Sequence, residues 1–226
     1  MKKPVVDYRE FRLSRLNEAR FRHVKLLGGW IVYFILYFVT ENLIPLENCH
    51  VIHCRLDDLI PFNEYFLIFY CSWYLLIFGT LLYTILYDIP RFRKVQVFIM
   101  ITQAVAMFVY IVYPNRQDLR PTSFEHENFL TAAMAFIYSF DTSSGVCPSL
   151  HVAYSLGVLS VGLKHPKLKA YLKLLLLVWV VLICMSVCFV KQHSAVDVFW
   201  GLLLSLFTEC VVYGRDYWLP RLRRSR

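Results

Sequence analysis

The stretch Tyr65–Tyr87, YFLIFYCSWYLLIFGTLLYTILY, runs without one charged residue. A helix rises about 1.5 Å per residue, so this length crosses about 30 Å, the thickness of a bilayer's hydrocarbon core. A helix apolar on every side belongs inside a protein or a membrane. Two more runs of the same kind follow from the pattern, Leu26–Leu46, with Glu41 near its far end, and Val95–Tyr113. Further along, Leu174–Val190 and Ser194–Tyr213, the latter containing Glu209, approach spanning length. Val152–Leu163 offers only twelve uncharged residues and taken alone reads as a buried or interfacial segment.

Composition agrees. Of 226 residues, 58% are hydrophobic, 17% aromatic and 18% charged, and the mean hydropathy is +0.50. Soluble domains run closer to half apolar and a quarter charged, so a cytosolic globule, a disordered chain and a coiled coil are excluded. The net charge of +8 and pI near 9.1 raise nucleic acid as a partner. In a membrane chain basic residues instead record which loops stay in the cytoplasm, so no nucleic-acid partner is expected.

The basic residues sort the connections. Residues 1–25 carry eight Lys and Arg, and the 88–94 turn, the 164–173 turn and the tail 214–226 are basic as well. The loops 47–64 and 114–150 mix Glu47, Asp57, Asp58, Glu64, Asp118, Glu125 and Glu127 with few cations. Four basic connections on one side require six spans, which makes Val152–Leu163 the fourth. The expectation is an all-α polytopic membrane protein: a basic cytoplasmic or interfacial segment 1–25, a six-helix domain 26–213 and a cytoplasmic tail 214–226. Phe129–Phe140, too short to span, reads as an interfacial helix in the second exterior loop. The N-terminal segment reads equally as an interfacial helix or a solvated basic leader.

Polar chemistry gathers at three places that this topology puts on the exterior side: 116–121 (RQDLRP), 147–151 (CPSLH) and 191–197 (KQHSAVD). Pro148 suits the first position of a helix, so Ser149 and its neighbours would present free backbone amides and a positive dipole end to an anion. Arg120 offers a planar fork for phosphate oxygens and Lys191 a point charge. His193 and Asp197 stand four apart, on one helix face, where the carboxylate would fix the imidazole tautomer. His151 is then available as acid and base.

R-P, P-S-x-H and H-x-x-x-D, placed after span three, before span four and before span six, resemble the type 2 phosphatidic acid phosphatase superfamily. The stretch KQHSAVDV is similar to its inositol phosphorylceramide and sphingomyelin synthase branch. The resemblance covers about residues 95–213. It implies a plasma-membrane lipid phosphatase that works through a phosphohistidine on His193, supported by Asp197, with His151 protonating the leaving alcohol. Arg120, Ser149 and Lys191 would hold the phosphoryl oxygens, with no metal or cofactor. The partner implied is a lipid phosphate or phospholipid. Three positions depart from the family pattern: Tyr113 stands for a lysine, Leu150 for a glycine and Val187 for an arginine. Arg116 and Lys191 are the candidate substitutes for the two cations. A head-group phosphotransferase is the alternative, and a non-catalytic membrane scaffold or binding protein the second.

The cluster Cys49-His50-Val51-Ile52-His53-Cys54 carries zinc-type ligands, but such close spacing resists one tetrahedral ion. A Cys49–Cys54 disulfide is the favoured reading, with free thiols as the other. Glu209 reads as a solvated interfacial residue.

Overall fold

Asp88 ends one apolar helix and starts the next. In the computed structural model, which describes residues 3–224, its carboxylate accepts the N–H of Arg91 as N-cap, and Pro90 sits in the first turn, where a missing N–H is no loss. The helices in chain order are α1 (Gly28–Leu43), α2 (Arg55–Leu59), α3 (Leu67–Tyr87), α4 (Ile89–Val112), α5 (Phe129–Phe140), α6 (Leu150–Leu163), α7 (Ala170–Phe189), α8 (Ala195–Tyr213) and α9 (Leu219–Arg224). The only strands among the described residues are β1 (His50–Val51) and β2 (Asn115–Arg116), paired in parallel. The chain is all-α.

Five helical stretches are long and apolar enough to cross a membrane: Arg22–Leu43, Glu64–Tyr87, Ile89–Val112, Ala170–Phe189 and Ala195–Arg224. α6 is apolar but shorter than these, 14 residues and about 21 Å. It packs against α3, α4, α7 and α8, and Val152, Ala153, Tyr154, Val158 and Val161 are all buried. A helix enclosed by other helices has no lipid to match. Its apolar run is short rather than weakly apolar.

Four expectations need correction. Arg91, Arg93 and Lys94 lie in the opening turns of α4 rather than in a loop, because the Asp88 cap starts the helix before the apolar run does. Residues 3–27 form neither one amphipathic helix nor a solvated leader but short 3-10 turns, with Phe21 and His23 buried. There Tyr8 bonds His23 Nε2 at 2.6 Å and donates to the Ile85 carbonyl at 2.8 Å, while Arg15 and Arg20 pair with Glu10 and Glu18. Cys49 and Cys54 are free thiols, since Cys49 Sγ turns to the Pro45 carbonyl at 3.7 Å and Cys54 is the N-cap of α2. Finally, Glu209 is not simply solvated: Lys164 lies 2.5 Å away, and Ser160 and Trp218 donate to it at 2.6 and 2.7 Å. This cluster ties the end of α6 to α8.

At the opposite end the loops are stitched together. His50 donates to the Pro114 carbonyl and Ile52 to that of Arg116, both at 2.8 Å, and Gln117 donates to Ser143 at 3.0 Å. The motif 116–121 is part of this cap, through Arg116 and Gln117.

Candidate active site

Two helices begin side by side here, each under a serine. Ser194 Oγ accepts the Val196 N–H at 3.1 Å, and Asp197 Oδ2 returns to the Ser194 N–H at 2.9 Å, a reciprocal capping box. That turn aims the carboxylate at the residue just before the helix. His193 Nδ1 therefore lies 3.3 Å from Asp197 Oδ2. The expected pair forms across the helix start rather than along its face. Asp197 is 0% exposed and His193 8%. With the carboxylate on Nδ1, Nε2 is the nitrogen left to act as nucleophile.

Ser149 caps α6, its Oγ accepting the Val152 N–H at 3.5 Å and its own N–H donating to the Asp197 carbonyl at 3.1 Å. Pro148 thus precedes the cap rather than opening the helix as expected, because the serine hydroxyl supplies the bond that a proline cannot. The two helix starts come this close because α8 presents Gly201. A Cβ there would stand 2.8 Å from the Ser149 carbonyl oxygen and 3.1 Å from the Val152 Cβ. Asn115 holds the approach to α6, accepting from the Val146 and Cys147 N–H groups at 3.0 and 2.8 Å and donating to the Cys147 carbonyl at 3.0 Å. Tyr110 donates to the Pro148 carbonyl at 2.8 Å.

This framework brings His151 to His193, with ring centroids 5.6 Å apart and planes at 65°. His151 stacks on Tyr70 at 4.8 Å and against Trp73 at 4.3 Å. Its Nε2 is buried without a hydrogen-bond partner. Both imidazoles line a cavity of about 600 Å³, whose wall includes Trp30, Tyr33, Tyr37 and Tyr74 and the carboxylates of Glu41 and Asp141.

The four residues expected to hold phosphate lie outside this lining. Arg120 donates to the Tyr138, Asp141 and Thr142 carbonyls at 3.3, 2.7 and 2.9 Å and to Gln192 Oε1 at 2.7 Å, with its guanidinium 4.7 Å over the Tyr138 ring. It adjoins His193 through Gln192 and leaves its Nε buried without a partner. Lys191 Nζ donates to the carbonyls of Asp57, at 2.9 Å, and Ile60. Its backbone is left-handed, φ 50°, a conformation a bulky side chain keeps only when held there. Arg116 pairs with Asp118 at 3.1 Å and donates to the Leu46 carbonyl at 2.5 Å. Ser149 is occupied as a cap. His50 stacks on Tyr113 at 4.2 Å and His53 pairs with Asp58 at 2.8 Å. Among the described residues no three His, Cys, Asp or Glu gather as metal ligands.

Two acids had no role in the sequence reading. Asp57 accepts from the Ser194 hydroxyl at 2.6 Å and from the Ala195 and Cys54 N–H groups, each at 2.8 Å. Burial raises its pKa, and these hydrogen bonds outweigh that effect and hold it below the usual carboxylate range. Its only local signal is the spacing Cys54-x-x-Asp57, a capping box for α2. Asp141 accepts from Gln192 Nε2 at 3.0 Å and lies 4.0 Å from Arg120. Burial pushes its pKa up, with Arg120 and His193 opposing. Set beside known proteins, the chain matches no family model, no curated protein and no solved structure.

Proposed function

We propose that the chain is a six-span membrane enzyme, with α6 as the inner span, that cleaves a phosphoryl-linked group from a lipid through a covalent histidine. Its termini are cytoplasmic and its site faces the exterior or a lumen. The observation that carries this is the meeting of His151 and His193, far apart in sequence, on one cavity, with Asp197 against His193 Nδ1. His193 Nε2 attacks phosphorus, the N–P bond forms and the P–O bond to the lipid alcohol breaks. His151 gives that alcohol its proton. An acceptor then loses a proton to His151 and displaces the group from His193. The Leu150 and His151 N–H groups at the start of α6 are the donors for the phosphoryl oxygens, since Val152 and Ala153 already donate to Ser149.

With water as acceptor this is a lipid phosphatase acting on a monoester or diphosphate. Head-group transfer to a lipid hydroxyl is the second reading. It is favoured because α1 and α3 both wall the cavity while each packs on α4, which leaves an aromatic cleft between them for a lipid acceptor. The test is purified protein with a panel of phosphorus-labelled lipid phosphates, diphosphates and phospholipids, with and without diacylglycerol or ceramide. Acid-labile, alkali-stable label on the protein is expected, and its loss in His193→Ala. Released phosphate identifies the phosphatase and a new phospholipid the transferase. Turnover that survives His193→Ala would overturn the mechanism.

A further inference from the structure

A second cavity, of about 860 Å³, opens between α3, α6 and α7 at the end of the bundle away from the histidines. It shares no lining residue with theirs. α3 stands between the two: Tyr70, Trp73 and Ile77 line the histidine cavity, whereas Leu75, Leu76 and Tyr83 line this one. At its inner end the Trp179 indole donates to Ser72 Oγ at 2.8 Å and fastens α7 to α3. Leu75 and Tyr83 are exposed although they line the space, so it lies open to the outer surface of the bundle. Along α3 the lining runs from Leu75 to Tyr87, about 18 Å by helical rise.

The chemistry changes along that length. The inner walls are Leu75, Leu76, Val158, Leu176 and Trp179, without a charge. The mouth holds Arg91, His165 and Lys167 and a single acid, Asp88. That acid is already paired, since it accepts both the N–H and the guanidinium of Arg91. His165 Nδ1 accepts the Lys167 N–H at 3.1 Å, so the neutral ring carries its proton on Nε2. Neither that proton nor the Lys167 ammonium has a partner among the described residues. Burial lowers the pKa of His165, and Arg91, Lys173 and Lys167 act in the same direction against Asp88. The field at the mouth is therefore positive. An apolar channel with cations only at its mouth fits a phospholipid that lies with an acyl chain inward and its phosphate at the interface. The anionic kind is favoured, because a choline or ethanolamine ammonium meets no free carboxylate there.

We propose that this cavity binds an anionic phospholipid of the leaflet opposite the histidine cavity. Lys167 and His165 hold its phosphate, and one acyl chain lies along α3 against Trp179. The site takes no part in the reaction at His193 and requires no turnover there.

The test places the full chain in phosphatidylcholine nanodiscs and adds phosphatidylglycerol or phosphatidylcholine with brominated acyl chains, reading the quenching of tryptophan fluorescence. The contribution of Trp179 is the difference between the parent and Trp179→Phe. Brominated phosphatidylglycerol is expected to half-quench that contribution at a mole fraction at least fivefold below the one needed with brominated phosphatidylcholine. Lys167→Glu combined with His165→Gln should bring this preference to twofold or less. If the double variant does not fold, Lys167→Glu alone decides, since its side chain is exposed and holds nothing in the fold, and it should at least halve the preference. Equal quenching by the two lipids, or a preference unchanged in these variants, overturns the site. So does a preference that persists in full in Trp179→Phe, which would place the lipid elsewhere.

Discussion

Gly201→Ala places one methyl group at the junction on which the whole site depends. Its Cβ would stand 2.8 Å from the Ser149 carbonyl oxygen, a backbone atom, and 3.1 Å from the Val152 Cβ. Neither is the movable end of a long side chain, so α6 and α8 must separate by several tenths of an ångström. Overpacking of this kind costs about 1–3 kcal/mol. For a chain of this size that is a fall in Tm of about 3–10 °C. The same displacement lengthens the Ser149 N–H bond to the Asp197 carbonyl, now 3.1 Å, and moves His151 relative to His193. Errors near 1 Å in reacting geometry cost about 100-fold, so a loss of turnover of about tenfold or more is expected. The assay pairs thermal melting in detergent with the rate of label transfer to His193. Gly79→Ala is the control, since a Cβ there meets nothing within 4 Å. Wild-type melting and labelling in Gly201→Ala would refute the claim that close approach of the two helix starts builds the site.

Other outcomes follow from the same geometry. Asp197→Asn can keep the cap on the Ser194 N–H but loses the charge beside His193, so histidine labelling should slow about 10³–10⁴-fold with little change in Tm. Rapid-quench labelling measures this, and near-normal rates would remove Asp197 from the mechanism. Asp57 has its pKa lowered in the fold, so it stabilises at neutral pH, and that contribution is lost as pH falls below about 4. Asp57→Asn should therefore melt lower than the parent at pH 7, and the two melting curves should converge under acid. A constant difference at all pH values would contradict this. Arg120→Lys keeps the charge but cannot span the Tyr138, Asp141 and Thr142 carbonyls and Gln192 at once. It should lose as much Tm as Arg120→Ala, whereas a parent-like melt would leave Arg120 as no more than a point charge.

Apolar runs and motifs are local properties, and the sequence alone determined them. An uncharged run such as Tyr65–Tyr87 has only one solvent that suits it, and the helix it forms ends at Tyr87 as read. Phe129–Phe140 and the ends of α6 and α8, at Leu163 and Tyr213, coincide with the apolar runs for the same reason. The residue types of H-x-x-x-D and P-S-x-H were enough to single out His193, Asp197 and His151. Tertiary structure decided which cations stand near them. Arg116, Arg120 and Lys191 were all read as cations for phosphate, yet each meets carbonyl oxygens brought by a distant segment. The roles of Asp57 and Asp141 were likewise invisible, because Ser194 lies 137 residues from the first and Gln192 lies 51 from the second. Hydropathy is a property of a residue and its neighbours, whereas a charge acquires its role from whatever the fold sets within a few ångströms of it.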